Sequence, residues 1–509
     1  MQMTGNNPVF KKDSVNLSER RIMKGKTGIF IVIAVSLLSG CAQKEKLKAD
    51  TAVEKTFEEV SVHDPSVVDG GDGYYYIFGS HLAVAKTDDL INWTYVNRGI
   101  KNENEVIPNV YSEMKEAFEW SHSNTFWAPD VIRLKDGKYH MYYCNCQGDS
   151  PLSCLGTAIS DSVEGPYVNQ GIMLKSGMSP DQPSENGRLY QSADDPNVVD
   201  PVVFYDQEER LWMIYGSYSG GIFVKEMDPE SGLPLEPGYG KKLLGGDHLR
   251  IEAPYVIYNP DTGYYYMFLS FGGLDSDGGY NIRVCRSSTP DGPYLDSMGQ
   301  DMIDCKGPAG SVFSDASAAL YGTKLMGCYK FLWSEGEEGE NRNGYLSPGH
   351  NSCLYQKDTG KYFLIYHTRF ENRGEEHEVR VHQMFFNEEG WPVIAPYRYT
   401  GETAGTYTKE EIAGTYKFIN HGRDISPEIR ESILIELKKN GKIGGDAEGT
   451  WELADGNKIS LTINEDTYQG IILKQWDEDG KKYVMTFTAL NEETGISVWG
   501  SGLNALKEQ

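Results

Sequence analysis

Basic side chains are scarce in this sequence compared with acidic ones. Its 509 residues include 48 Lys and Arg against 74 Asp and Glu, which gives a formal net charge of −26. A nucleic-acid backbone would be repelled by such a chain, and no stripe of Lys and Arg offsets the repulsion. We therefore exclude nucleic acid as a partner.

A hydrophobic run long enough to cross a bilayer is also missing. The best candidate is the apolar stretch 29–38, about ten residues that follow Lys24 and Lys26, and this layout is typical of a signal peptide. The stretch leads into Leu-Ser-Gly-Cys and resembles a bacterial lipoprotein signal, so we expect Cys41 to be lipidated and to become the mature N-terminus. An ordinary signal peptide with a chance cysteine is the alternative.

The residues around this signal indicate how the chain is processed. Residues 1–22 carry charges that fit no signal peptide, so we place the start at Met23 and the signal region at 1–41. Residues 42–56 are polar and rich in Lys and Glu, as in a flexible tether. We expect an exported monomer, anchored by its lipid alone, at the cell surface or at the periplasmic face of the outer membrane.

Cysteines are few, and their number does not allow complete pairing. Of the eight in the chain, seven remain once Cys41 is set aside, and an odd number excludes a full disulfide framework. Cys144 and Cys146 are too close in sequence for most zinc patterns. We predict buried free thiols, with a loop disulfide between Cys146 and Cys154 as the alternative.

A short strand start recurs five times in the chain, and aromatic residues make up 12% of the sequence. The five starts are His63-Asp64-Pro65, Trp127-Ala128-Pro129, Val199-Asp200-Pro201, Glu252-Ala253-Pro254 and Gly349-His350-Asn351. Each is followed by a polar turn and a strand rich in Tyr or Trp, and a repeat of this length indicates a β-propeller. We predict an all-β fold with a five-bladed β-propeller at 57–400, whose axis is lined by Asp64, Trp127, Asp200, Glu252 and His350.

The pattern changes after the fifth repeat, and residues 401–509 predict a second, small antiparallel β-domain, either a barrel or a sandwich. Its predicted strands are 415–418, 432–437, 449–453, 458–463, 467–475, 482–490 and 495–500. The domain either positions a glycan or only stabilises the propeller. Long insertions lie at 101–125, 171–198 and 298–348, and some of them are expected to wall a cleft.

Three carboxylates, those of Asp64, Asp200 and Glu252, are predicted to converge on the propeller axis. Hydrolysis of a glycosidic bond needs one protonated carboxyl to supply the leaving oxygen with a proton and one carboxylate to act on water or on the sugar. A third carboxylate tunes the other two through like-charge repulsion. An Asp before Pro is also a common turn former, so each Asp alone is weak evidence.

The motifs HDPSVV, FWAPDVI, VDPVVFYD, RIEAPYVIY, GHNSCLY and YHTRF together resemble glycoside hydrolase family 43, and most of all its endo-α-1,5-L-arabinanases. The resemblance implies an inverting enzyme that cleaves internal bonds of arabinan. It implies that Asp64 is the general base that activates water, that Glu252 is the general acid, and that Asp200 tunes and orients the acid.

The resemblance also implies that His350 faces a cation, usually calcium, in the central channel. Calcium prefers oxygen ligands, so water would fill the other positions. A neutral histidine in a polar channel without metal is the alternative.

Several further residues are candidates for binding or positioning. Trp127 and Phe126 can stack on a sugar ring, with core packing as the alternative. Ser217, in a glycine-flanked loop, can bond a sugar hydroxyl. Arg369 is expected to orient a neighbour, and His63 to position Asp64.

Three other functions remain open from the sequence. The same fold can act at chain ends, as an α-L-arabinofuranosidase or a β-xylosidase, and the insertion at 298–348 can close one end of the cleft and favour this mode. The chain can also be a surface glycan-binding lipoprotein without catalysis. Such proteins usually lose a catalytic carboxylate, whereas all three are present here.

Overall fold

Antiparallel β-strands form nearly all of the regular structure. The computed structural model describes residues 54–148, 150–337 and 343–506. The predicted signal region 1–41, with Met23 and Cys41, and the tether up to residue 53 lie outside the described residues. Within the described ranges, no helix has both the length and the apolar character needed to cross a membrane.

The first three repeats each form a separate sheet of four consecutive strands. Their strands are β1 (Ser66–Asp69), β2 (Tyr75–Gly79), β3 (Ala83–Thr87) and β4 (Thr94–Arg98), then β5 (Trp127–Arg133), β6 (Tyr139–Asn145), β7 (Ser153–Ser160) and β8 (Val168–Ser176), then β9 (Val202–Tyr205), β10 (Leu211–Tyr215), β11 (Ile222–Met227) and β12 (Lys241–Leu244). The second strand of each sheet is buried along nearly its whole length, which explains the Tyr- and Trp-rich sequence there.

The fourth and fifth repeats form sheets that continue into other strands. The strands are β13 (Ile251–Asn259), β14 (Tyr264–Phe271), β15 (Asn281–Ser287) and β16 (Thr323–Met326), then β17 (Tyr329–Lys330), β18 (Tyr345–Gln356), β19 (Lys361–Phe370), β20 (His377–Phe386) and β21 (Pro392–Ile394). The prediction of a five-bladed propeller is therefore confirmed only in part: the arrangement is propeller-like, but the C-terminal domain adds strands to both of these sheets.

The first strands of the sheets contact one another in a closed ring, in the order β1, β5, β9, β13, β18 and back to β1. Asp130 of the second sheet links three sheets through hydrogen bonds. It accepts one from Ser66 Oγ of the first sheet at 2.5 Å and one from the Val203 amide of the third sheet at 2.7 Å. A cavity of about 20 Å³ lies at the centre and is lined by residues from all five strand starts. This propeller-like arrangement confirms that the repeat brings the strand starts together around one axis.

The C-terminal domain is an antiparallel barrel-like sheet, so of the two predicted forms the barrel is the one observed. After β22 (Gly414–Asn420) comes the short strand β23 (Arg430–Glu431), which is not part of the barrel sheet. The other barrel strands are β24 (Ile433–Leu437), β25 (Lys442–Gly445), β26 (Gly449–Ala454), β27 (Lys458–Ile463), β28 (Asp466–Asp477), β29 (Lys482–Asn491) and β30 (Ile496–Gly502). β30 pairs with both β22 and β29, which closes the sheet. The alternation is visible in β27, where Ile459, Leu461 and Ile463 point into the core.

The barrel is joined to the propeller through backbone pairing. β30 runs parallel to β16, with Ile496 opposite Lys324, and β23 runs parallel to β17, with Arg430 opposite Tyr329. Lys324 also donates a hydrogen bond to the backbone oxygen of Asp424 at 2.7 Å. Two sheets of the propeller and the barrel are therefore hydrogen-bonded into common sheets.

The few helices lie mainly in the insertions. They are the 3₁₀ turns Ser80–Leu82 and Met302–Asp304 and the helices α1 (Val110–Glu113), α2 (Lys115–Ser121), α3 (Asp315–Ala318) and α4 (Lys409–Ile412). Val110, Met114 and Ala117 pack against the second sheet. The insertion at 101–125 is thus held to the propeller by an apolar face.

All seven cysteines of the described residues are buried and free. This confirms the prediction of free thiols, and the alternative disulfide between Cys146 and Cys154 is wrong. The thiol of Cys144 donates a hydrogen bond to the backbone oxygen of Trp127 at 2.8 Å.

Candidate active site

The five strand starts share a backbone kink. In each, one residue adopts a left-handed conformation, and these residues are Asp64 (φ 57°), Ala128 (31°), Asp200 (54°), Ala253 (56°) and His350 (46°). Left-handed φ is uncommon outside glycine, and its recurrence at one place in every repeat marks structurally equivalent positions.

The equivalent positions differ from the predicted axial residues at two of the five strand starts. Asp64, Asp200 and His350 occupy equivalent positions and all line the axial cavity, whereas Glu252 and Trp127 precede the kinked residue by one position. Successive side chains along an extended chain point in different directions. Accordingly, Ala253 and Ala128 line the cavity, and neither Glu252 nor Trp127 is among its lining residues in the described part of the chain.

Asp64 is buried and surrounded by groups that stabilise its charge. Nδ1 of His350 lies 2.9 Å from Oδ1, and Nδ1 of His63 lies 2.8 Å from Oδ2. The hydroxyl of Ser80 donates to Oδ2. Burial opposes ionisation, but the charges and hydrogen bonds of His350 and His63 outweigh it and hold the pKa of Asp64 well below its usual range. The carboxylate is therefore ionised at neutral pH.

His350 is the charged partner of this carboxylate. Burial alone would lower the pKa of His350, but the carboxyl groups of Asp64 and Asp200 outweigh burial and raise it to about 9. At neutral pH the imidazole is therefore protonated, and it forms an ion pair with Asp64 beside the axial cavity.

Asp200 is the carboxyl group that retains its proton. Burial, together with the charges of Glu252 and Asp64, outweighs the opposing charge of His350 and raises the pKa of Asp200 to about 8. Its Oδ2 accepts a hydrogen bond from the amide of Ala253 at 3.2 Å. Asp200 is thus bonded to the backbone next to Glu252.

Glu252 is held by two hydroxyl groups. Ser217 Oγ donates to Oε2 at 2.6 Å, and the Tyr280 hydroxyl donates to Oε1 at 2.7 Å. Ser217, predicted to bond a sugar hydroxyl, therefore bonds the carboxylate. Tyr280 was not predicted from the sequence, although it follows two glycines and directly precedes β15. A side chain at Gly349 would bring its Cβ to 2.2 Å from the Tyr280 ring, so the glycine of the fifth repeat makes room for this partner.

His367 is a second residue that the sequence reasoning missed, although it lies within the YHTRF motif. Its ring stacks on His63 with 4.2 Å between the centroids, and its Nδ1 accepts a hydrogen bond from the Asp64 amide at 3.1 Å. Burial holds its pKa well below the usual range, so the ring is neutral and suited to accept this bond. His63, Asp64 and His367 are close enough to hold a metal, but this nitrogen is already used by the backbone.

Arg369 is close to His367, with Nη1 at 3.4 Å from Nε2, and its Nε donates to Glu375 at 2.6 Å. It therefore contacts a histidine and a carboxylate, which fits the expected role of an orienting neighbour.

The two predicted aromatic contacts have different environments. Trp127 is half-buried, donates from Nε1 to the backbone oxygen of Cys146 at 3.1 Å, and has its ring 5.0 Å from that of His81. Phe126 is fully buried between Phe118 and Tyr143. Phe126 is therefore a core residue, and the prediction of a sugar contact is wrong for it.

The axial cavity offers groups that suit a calcium ion. Asn351 lines it together with His350 and Asp200, and the buried Oδ1 of Asn351 has no hydrogen-bond partner among the described residues. An orphaned buried oxygen beside a carboxyl group is the kind of donor that calcium prefers. A volume of about 20 Å³ is room for one water-sized occupant.

Comparison with known proteins matches both parts of the chain. The family model described as glycosyl hydrolases family 43 matches residues 55–392, and one described as a C-terminal lipocalin-like domain matches residues 396–500. Extracellular endo-alpha-(1->5)-L-arabinanase 2 of Bacillus subtilis is 55% identical over 88% of this chain and 94% of its own length. The extracellular endo-alpha-(1->5)-L-arabinanase of Thermotoga petrophila is 47% identical over 93% of this chain and 98% of its own length.

Solved structures agree with these matches. The crystal structure of a family 43 glycoside hydrolase from Bacillus licheniformis has a TM-score of 0.85 and 55% identity, and covers 88% of this chain and 99% of its own. That of endo-1,5-alpha-L-arabinanase from Thermotoga petrophila has a TM-score of 0.84 and 48% identity, and covers 88% of this chain and all of its own. With more than half of its residues matched and both domains accounted for, the chain belongs to glycosyl hydrolases family 43.

Proposed function

We propose that this protein is an exported inverting glycosidase that cleaves internal α-1,5-L-arabinofuranosidic bonds of arabinan. The observation that carries the proposal is the site itself: an ionised carboxylate, Asp64, and a carboxyl group held by two hydroxyls, Glu252, stand on different sheets around one axis. The high identity to two extracellular endo-arabinanases supports the substrate, the endo mode and export. Anchoring through Cys41 and a monomeric state are part of the same proposal.

In this function Asp64 is the general base. Its carboxylate takes a proton from the attacking water, for which it must be ionised, and its low pKa supports that state. Three histidines orient this carboxylate. His63 and His350 contact its two oxygens, and His367 accepts a hydrogen bond from the Asp64 amide. Trp127, half-buried beside His63, offers a ring face to the sugar.

Glu252 is the general acid that protonates the leaving oxygen. Ser217 and Tyr280 fix the direction of its two oxygens. Asp200, bonded to the amide that follows Glu252, tunes and orients the acid. In an inverting enzyme the base and the acid stand about 6.5–9.5 Å apart, which leaves room for the water.

We propose that the chain contains two domains, a propeller and a barrel. The five sheets in the closed ring represent five blades of one propeller at 57–400, and the barrel domain follows at 401–509. The hydrogen-bonded junction between barrel and propeller supports a stabilising role for the barrel.

Digestion of linear arabinan tests the reaction. We expect a ladder of oligosaccharides from the first minutes, because internal bonds are cut. Proton NMR at the same time points should show the β-anomer first at the new reducing end, because water enters opposite the leaving group. Branched arabinan and arabinoxylan digested in parallel define the preferred polysaccharide.

Three outcomes would contradict the proposal. Monosaccharide alone would indicate an enzyme that acts at chain ends. An α-anomer as first product would mean a covalent intermediate, with carboxyl groups only about 5 Å apart. Binding without any product would indicate a glycan-binding protein.

We further propose that a calcium ion occupies the axial cavity, held by His350, Asn351 and Asp200 with water completing its shell. His350 and Asp200 would each give up a proton when the metal binds. A bound Ca²⁺ would supply positive charge among the three carboxyl groups. The orphaned oxygen of Asn351 supports this site.

Removal of the metal should lower the melting temperature, and added calcium should restore it, since a ligand that binds only the folded state stabilises it by mass action. Differential scanning calorimetry with and without chelator measures the shift, and in Asn351→Leu the calcium-dependent part should be smaller. An unchanged melting temperature, with no metal in elemental analysis, would instead support a histidine in a metal-free channel.

A further inference from the structure

The insertion at 298–348 carries an exposed phenyl ring near the acid. Phe313 is 51% exposed and has a left-handed backbone, with φ of 57°. This conformation is costly for a bulky side chain and persists only where the surroundings impose it. Core packing does not explain the ring, since half of it faces solvent.

The loop that carries this ring is fixed to the residues just before Glu252. The amide of Phe313 donates to the His248 oxygen at 3.2 Å, and the amide of Gly310 donates to Asp247 Oδ1 at 3.2 Å. Arg250 forms two hydrogen bonds with Asp315, one of them from Nε at 3.0 Å. The ring is therefore held in place before any ligand arrives, which reduces the entropy cost of binding.

Two side chains connect the ring with the acid. The ring of Tyr218 stands edge-on to that of Phe313, with 5.6 Å between centroids and 76° between planes. The guanidinium carbon of Arg250 lies 5.9 Å from the Phe313 centroid. Tyr218 directly follows Ser217, whose hydroxyl bonds Glu252, and its amide donates to the Ile251 oxygen at 2.9 Å.

The ring also lies on one defined side of the site. Tyr218 lies between two strands of the third sheet, and Arg250 directly precedes the first strand of the fourth. Asp64 lies just before the first strand of the first sheet, and that strand contacts the first strands of the second and fifth sheets. Phe313 is therefore across the ring of sheets from Asp64. In an inverting hydrolysis the base and the leaving group are on opposite faces of the sugar. Phe313 is thus on the leaving-group side.

We propose that Phe313, flanked by Tyr218 and Arg250, binds an arabinofuranosyl unit on the leaving-group side of the scissile bond. This inference rests on the proposed function. The C–H face of a furanose packs on an aromatic face, and the guanidinium beside it can donate to ring hydroxyls. Because an insertion supplies the ring, it adds a contact that the propeller strands themselves do not provide.

Two substrates that differ only in their leaving group test the proposal. An α-1,5-arabino-oligosaccharide places sugar units on the leaving-group side, whereas α-1,5-L-arabinotriosyl fluoride places only fluoride there. In Phe313→Ala the ratio of kcat/KM for the oligosaccharide to kcat/KM for the fluoride should fall about three- to tenfold, the range expected for one lost stacking contact. Phe313→Trp should restore the ratio.

Val312→Ala is the matched control, because Val312 is the exposed neighbour of Phe313 in the same loop, and the ratio should stay at the wild-type value. An unchanged ratio in Phe313→Ala, or an equal fall in Val312→Ala, would overturn the inference while the wild type still cleaves arabinan. A wild type that cleaves neither substrate would overturn the proposed function itself.

Discussion

Substitution Glu252→Gln is expected to lower turnover of arabinan by about 10²- to 10⁴-fold, the usual contribution of a general acid. The amide keeps the shape of the side chain and can still accept a hydrogen bond from Ser217, but it has no proton to give to the leaving oxygen. Arabinotriosyl fluoride should lose far less activity, because fluoride departs with little protonation. Initial rates on both substrates measure the difference.

Asp130→Asn is the control for this result. Asp130 is also a buried carboxyl group on an inner strand, but its partners are Ser66 and the Val203 amide, so it fastens sheets together. Its substitution should lower the melting temperature and leave the ratio between the two substrates unchanged. Equal losses on arabinan and on the fluoride in Glu252→Gln would count against Glu252 as the acid.

Substitution Asp64→Asn should lower activity on both substrates to a similar degree, by about 10²- to 10⁴-fold. Water must be deprotonated whichever group leaves, so an activated leaving group does not restore the activity of this variant. In Asp64→Ala, where the base is removed and space is left, sodium azide should restore turnover of the fluoride, because azide attacks without losing a proton. The expected product is the β-azide, identified by NMR.

The contrast between the two variants distinguishes their roles. A loss of activity that depends on the leaving group indicates the acid. Rescue by an external anion indicates the base. Near-normal activity of Asp64→Asn on arabinan would overturn the mechanism, and so would azide rescue of Glu252→Gln in place of Asp64→Ala.

The repeat in the sequence was sufficient to place several residues around one axis. Asp64, Asp200 and His350 were predicted there, and all three line the central cavity. The seven strands predicted for the C-terminal domain are each present within two residues at either end. β25 was missed, because Lys442–Gly445 is short and half glycine and carries almost no alternating signal.

Other parts of the site depend on contacts between distant segments. Glu252 was assigned to the same position as Asp64 and Asp200, but the kink falls on the residue after it, and a shift by one residue redirects the side chain. Its partners Ser217 and Tyr280 come from two different loops. Phe126 was predicted from the sequence as a candidate sugar contact. It is a core residue in the structure, because apolar residues of the insertion at 101–125 pack against it.

The all-β fold class, the ring of strand starts and the identity of the carboxyl groups were predictable from the residues alone, because periodic patterns of polar and apolar residues are local and repeat along the chain. Which carboxyl group is ionised and which retains its proton was not predictable in this way, because it depends on contacts between distant segments. The pKa of each group depends on its burial and on charged residues of other sheets. At Asp64 such a residue is His350, which is nearly three hundred residues away in sequence.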